Sequence, residues 1–150
     1  MKRIRVVVAD SDALVRDGLK TILDLEEDVE VAGVARDGRE ALAMVQLLAP
    51  DVMLMDAGMP VMGGVASVKI LKEKSPLTRI IMLSTFDDED YILNALAGGA
   101  DGFLLKDTRA DQLVASVRDA IRGEVILPAR VAARLAARVL ELLHARDEKT

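Results

Sequence analysis

The 150-residue chain has no cysteine and only three aromatic side chains, two Phe and one Tyr. The first absence excludes a disulfide framework and a thiolate metal site, and it agrees with a reducing cytosol. The second requires an aliphatic core, since apolar residues make up 51% of the chain and aromatics 2%. Long hydrophobic runs are missing too. No stretch is long enough to span a bilayer and none has the make-up of a signal peptide, so a soluble, cytoplasmic protein with no membrane partner is expected. Positive charge is scarce in the body: residues 1–105 carry 11 basic and 18 acidic side chains, against 9 and 7 in residues 106–150. An acidic body repels a phosphate backbone, so this chain by itself is not expected to hold nucleic acid.

Four short apolar runs each deliver one polar residue at their carboxyl end. Val6-Val7-Val8-Ala9 leads to Asp10, Val52-Met53-Leu54-Met55 to Asp56, Ile80-Ile81-Met82-Leu83 to Ser84, and Phe103-Leu104-Leu105 to Lys106. If the runs are neighbouring parallel strands, these side chains meet at the edge where open α/β sheets bind ligands. Two carboxylates, a hydroxyl and an ammonium in one crevice suit metal-assisted phosphoryl chemistry.

The rest of the chain supports parallel strands. Apolar runs alternate with helical patterns, which implies right-handed crossovers and a parallel sheet. Strands are expected near 4–9, 29–34, 51–55, 79–83 and 101–105, and helices near 12–25, 38–48, 64–73, 88–97 and 110–122. Runs such as Val6 to Ala9 are apolar on both faces, as a sheet covered on both sides requires, so the fold class is a three-layer α/β sandwich. A further helix should start at Pro128, with Val131, Leu135, Val139 and Leu142 on one stripe and Arg130, Arg134 and Arg138 on another. The simplest reading of that arginine row is a solvated face.

Among the candidates, Asp56 is the sharpest. It ends a buried run and precedes Ala57-Gly58-Met59-Pro60 and Gly63-Gly64, a turn-rich stretch that would hold the backbone open around a carboxylate. Asp10 and Asp56 converging without a cation would repel one another, and Mg²⁺ resolves the conflict because it favours one or two carboxylates plus waters and phosphate oxygens. Lys106 offers a point charge for a phosphoryl oxygen and Ser84 a rotatable donor. The Asp87-Asp88-Glu89-Asp90 run reads as favourable charge at a helix N-terminus.

These motifs, in this order over roughly residues 3–124, resemble the receiver domain of bacterial two-component response regulators. Ser84-Thr85-Phe86-Asp87 and Leu104-Leu105-Lys106-Asp107 are similar to the NarL/FixJ subfamily, whose members usually add a LuxR-type output domain. The resemblance implies a flavodoxin-like sheet of order 2-1-3-4-5 and makes Asp56 the acceptor of phosphate from a sensor histidine kinase. It gives Mg²⁺ to Asp10, Asp56 and the Gly58 carbonyl, the phosphoryl oxygens to Ser84 and Lys106, and the switch to Ser84 and Phe103. It further implies a switch that phosphorylates and dephosphorylates itself rather than a turnover enzyme. Homodimerisation on phosphorylation and transcription regulation through an output domain follow from the same likeness.

The chain departs from that pattern in two ways. The family usually has consecutive acids after the first strand, whereas here the second is Ser11, which should weaken the metal site unless Asp12 reaches in. Residues 1–124 are read as the receiver and 125–150 as a linker helix toward an output domain absent from this sequence, either a fragment cut after the linker, which is the favoured reading, or a stand-alone receiver. Two other readings compete. One is a phosphorylation-independent receiver acting as a dimerisation or interaction module. The other is a phosphatase similar to the haloacid-dehalogenase type, with Asp10 as nucleophile and Asp12 as acid/base.

Overall fold

The computed structural model describes residues 2–59 and 65–148. Pro60 and the Gly63-Gly64 pair singled out above lie outside the described residues. The elements run β1 (Ile4–Ala9), α1 (Ala13–Asp24), β2 (Val29–Ala35), α2 (Gly38–Leu48), β3 (Val52–Asp56), α3 (Val65–Lys74), β4 (Arg79–Ser84), α4 (Glu89–Ala97), β5 (Gly102–Leu105), α5 (Ala110–Ile121) and α6 (Ala129–Glu148). Three helices start one residue after an aspartate: Asp12, Asp37 and Asp88 keep extended backbone and accept from the N–H groups of Leu14, Glu40 and Tyr91. Such caps satisfy amide donors that the helix itself leaves unpaired.

The strands form one parallel sheet in the order β2-β1-β3-β4-β5. Alternate residues of each strand feed two separate cores, because successive side chains leave opposite faces. Val7, Ala9, Met53, Met55, Ile80, Met82 and Phe103 meet side chains of α2, α3, α4 and α6. Val6, Val8, Val52, Leu54, Ile81 and Leu83 meet those of α1 and α5. Both faces are therefore dry, and the polar residues needed for chemistry are displaced to strand ends.

The carboxyl-terminal segment is fastened to the β5 edge. Ile126 pairs with Gly102 as an isolated parallel bridge, Phe103 N donates to Ile126 O at 2.7 Å, and Ile126 N donates to Asp101 O at 3.1 Å. A Cβ at position 102 would lie 2.5 Å from Ile126 Cβ and 2.8 Å from its carbonyl oxygen, so only glycine admits this approach. The chain then turns along α4. Val131 and Leu135 are buried in the core that holds Phe103 and Ile92.

The solvated arginine face expected for this helix is corrected by the ion pairs it makes. Arg134 reaches Asp87 at 3.0 Å and Glu89 at 3.2 Å, and Arg138 reaches Asp90 at 3.2 Å. Burial of Val131 and Leu135 turns the adjoining face of α6 toward the acidic start of α4, and the arginines find their partners there.

Candidate functional site

Parallel pairing in register brings the ends of β1, β3, β4 and β5 to one edge: Ala9 stands opposite Met55, Asp56 opposite Leu83, and Ser84 opposite Leu105. The residue after each strand, or its last residue, therefore enters a common crevice. Lys106 Nζ lies 2.9 Å from Asp10 Oδ2 and 3.0 Å from Asp56 Oδ1. Burial by itself would lower the Lys106 ammonium, but its close pairing with the Asp10 and Asp56 carboxylates outweighs that and holds it above the ordinary lysine range.

The two carboxylates are held differently. Asp10 is fully buried; its Oδ1 accepts from Asp12 N at 2.8 Å, while Oδ2 has the Lys106 charge beside it but no well-aligned hydrogen-bond donor. Asp56 Oδ1 accepts from Gly58 N at 3.0 Å, and among the described residues its Oδ2 has only the Ser11 hydroxyl, at a long 3.5 Å. Asp56 also lines a cleft of about 250 Å³ together with Ala57, Gly58, Ser84, Thr85, Phe86, Tyr91 and Lys106, whereas Asp10 does not. One carboxylate is thus presented to an incoming group and the other stands behind it.

The remaining predicted residues divide. Ser84 lines the cleft, but its Oγ accepts from Phe86 N at 3.2 Å, so it is engaged with its own loop. Phe103 is 1% exposed and turned into the core beneath α4 and α6. Asp12 is corrected as a candidate ligand: it is exposed, and its Oδ1 caps α1 by accepting from Leu14 N at 2.9 Å. The phosphatase alternative loses its acid/base with it, because Asp12 is committed to the helix cap, and its nucleophile Asp10 stands behind Asp56 rather than facing the cleft.

Two neighbours were not legible as site residues. Tyr91 turns into the cleft from α4, its hydroxyl 3.5 Å from Ala57 O. Burial, and after it the negative charge of Asp56, pushes the phenol above its ordinary range, so it remains a donor. Arg16 donates to the Asp10 carbonyl at 2.7 Å and fixes the loop after β1. The only sequence signal for Tyr91 was that the three aromatics, Phe86, Tyr91 and Phe103, all fall within eighteen residues.

Comparison with known proteins supplies the family context. The model of the response regulator receiver domain matches residues 6–118. The chain is 39% identical over 133 residues to the uncharacterized transcriptional regulatory protein YxjL of Bacillus subtilis, covering 89% of this chain and 61% of that one. It is 35% identical over 148 residues to the oxygen regulatory protein NreC of Staphylococcus haemolyticus, covering 98% of this chain and 68% of that one. Among solved structures, the signal receiver domain of the response regulator NarL from Mycobacterium tuberculosis superposes with a TM-score of 0.80 at 36% identity, over 83% of this chain and 100% of that one. The chain spans about three fifths of the length of the first curated relatives, 61% and 60%.

Proposed function

The chain belongs to the response regulator receiver domain family, in its NarL/FixJ branch, and from that premise we propose that Asp56 accepts a phosphoryl group from the phosphohistidine of a sensor kinase. The observation that carries this is the asymmetry of the carboxylates: both lie within 3.0 Å of Lys106 Nζ, and only Asp56 lines the cleft. An Asp56 oxygen attacks phosphorus as the P–N bond breaks, and the imidazole nitrogen departs with the bonding pair. Lys106 stays bound to the acceptor and neutralises charge on the transferred group, so the chain supplies positioning and electrostatics rather than covalent help.

Asp10, Asp56 and the Gly58 carbonyl would hold Mg²⁺. The buried Asp10 Oδ2 without an aligned donor and the excess of carboxylate over ammonium fit a hard cation. When bound, Mg²⁺ supplies further neutralisation of the transferring oxygens. Among the described residues no third acid joins the cluster, which agrees with Ser11 standing where the family resemblance leads one to expect a second acid.

Phosphorylation adds charge and acceptor oxygens beside Ser84. Turning Ser84 toward them breaks its bond with Phe86 N, moves the loop into α4 and opens space for Phe103. In a regulator that carries an output domain, this change would set dimerisation and, through that domain, transcription. Mass spectrometry after acetyl phosphate and Mg²⁺ should show one added phosphate on the wild type and none on Asp56→Ala. Phosphate retained in that variant would reassign the acceptor, and no phosphate on the wild type would favour the phosphorylation-independent module.

A further inference from the structure

The acidic start of α4 and the arginine row of α6 form a contact that the phosphoryl site does not use. Arg134 holds it twice over: Nη1 donates to Asp87 Oδ2 at 3.0 Å and Nη2 to the Asp87 backbone carbonyl at 2.5 Å. Arg134 Nε also faces Glu89 Oε1 at 3.2 Å, Arg130 stands 3.8 Å from Asp87, and Arg138 donates to Asp90 Oδ1 at 3.2 Å. Val131 and Leu135, on the adjoining face of α6, are buried in the cluster that contains Phe103.

Asp87 is the third residue after Ser84 and follows Phe86, whose N–H occupies the Ser84 hydroxyl. A guanidinium clamped to both the side chain and the main chain of Asp87 therefore fixes the segment that must shift when Ser84 turns to a phosphoryl oxygen. We infer that Arg134 is a positioning residue for the phosphoryl site, and that α6 is a latch holding the β4–α4 loop in its unphosphorylated arrangement. This rests on Asp56 being the acceptor and adds a regulator of that site.

Surface ion pairs contribute little stability individually, so the clamp matters through what it couples. Coupling is reciprocal: if α6 docking disfavours the phosphorylated loop, phosphorylation must disfavour α6 docking by the same factor. Phe103 gives a second route, since it shares one buried cluster with Val131 and Leu135 and a turn of its ring changes their packing.

The test uses the whole chain with acetyl phosphate and Mg²⁺. Arg134→Gln should be phosphorylated about five-fold faster than wild type, the lower end of ordinary coupling between sites. Arg134→Lys, which keeps one donor direction but loses the fork, should fall between them. Asp87→Asn, which leaves the backbone carbonyl in place, provides a second variant with little risk to folding. Arg122→Gln, which removes an arginine paired with Asp119 at the end of α5, should leave the rate unchanged. In the wild type, phosphorylation should raise amide exchange across residues 129–138, and Asp56→Asn should show no such rise.

A purely structural Arg134 would loosen α6 in the variant without altering the phosphorylation rate. Phosphate on Asp56 with equal rates in Arg134→Gln and wild type, and with α6 exchange unmoved, overturns the latch alone. Absence of phosphate on Asp56 overturns the acceptor assignment and the latch together, and the intact mass tells the two failures apart.

Discussion

The two edges of the sheet carry mirror-image charge triads. At the amino edge, Asp101 takes Lys72 at 3.0 Å and Arg79 at 3.7 Å, one carboxylate between two cations. At the carboxyl edge, Lys106 takes Asp10 at 2.9 Å and Asp56 at 3.0 Å, one cation between two carboxylates. Solvent separates them further, since the Arg79 side chain is 40% exposed while those of Asp10 and Asp56 are 0% and 7%. Spare charge in water is hydrated and inert; spare negative charge in the interior calls for a cation. The amino edge is a staple and the carboxyl edge a receptacle, each built from aspartate and basic side chains in opposite proportion.

Removing Lys106 should break that contrast most severely. Lys106→Met leaves Asp10 and Asp56 facing one another with their ammonium gone, and should lower stability by about 3 kcal/mol, as loss of one partner of a buried pair does. Added Mg²⁺ should restore part of it, because a ligand bound only by the folded state stabilises by mass action. Urea denaturation with and without Mg²⁺ checks this, and an unchanged midpoint without Mg²⁺ would show that the carboxyl-edge charges are better hydrated than their burial indicates. In the wild type, the raised Lys106 ammonium contributes fully below the unfolded lysine value of about 10.4 and is lost as pH rises through its higher folded value. Its contribution is therefore flat across neutral pH.

The second effect sharpens the receptacle. Ser11 Oγ lies 3.5 Å from Asp56 Oδ2, so Ser11→Asp adds a third carboxylate to a site already short of positive charge. Mg²⁺ should bind about tenfold more tightly, about 1.4 kcal/mol. A Mg²⁺ titration of both proteins decides it, and equal affinity would mean that Ser11 does not limit the metal site.

How much of this the sequence disclosed depended on whether a feature was local. Strand ends could be located because each buried run stops at one polar residue, and Asp10, Asp56, Ser84 and Lys106 reached one edge as expected. Helix starts were placed a residue early at Asp12 and Asp88, because a capping aspartate belongs to the helix in sequence pattern but keeps extended backbone. The carboxylate imbalance was legible; which carboxylate faces solvent was not, since depth below the edge follows from register and loop path. The α6 arginines were misread for a similar reason. Periodicity marks which face of a helix is apolar, but only the Gly102–Ile126 bridge fixes where the helix lies, and a parallel backbone contact leaves no signal except a glycine.

Asp101→Asn tests the staple and should have a smaller effect. The amide still accepts from Ile80 N, where the carboxylate accepts at 2.8 Å, but its attraction for Lys72 and Arg79 is lost. A loss of about 1 kcal/mol is expected, since a partly exposed, charge-assisted bond is replaced by a neutral one. Phosphorylation of Asp56 should proceed at the wild-type rate, because nothing at the amino edge reaches the cleft. A changed rate would show that the two edges are coupled through the strands.

The smallest effect is expected at the other amino-edge pair. Arg118 of α5 binds both carboxylate oxygens of Asp28 with Nε and Nη2, each at 2.8 Å, where Arg134 divides between the side chain and the main chain of Asp87, and it does so against a turn that carries no chemistry. The Arg118 hydrogen bonds, opposed by some burial and aided by the Arg118 charge, hold the Asp28 carboxyl below the ordinary carboxylate range. A depressed folded value means the contribution is present above the unfolded aspartate value of about 3.9 and is lost as pH falls through the folded one. Urea midpoints of wild type and Asp28→Asn should therefore differ slightly and constantly from neutral pH down to about pH 4, and converge below it. Because the pair is solvent-exposed the gap should shrink with salt. Arg118→Gln should leave the phosphorylation rate untouched where Arg134→Gln raises it. Equal responses from both arginines would mean that any loss of an interhelical tether loosens the receiver, and that the position of Arg134 beside the switching loop has no special consequence.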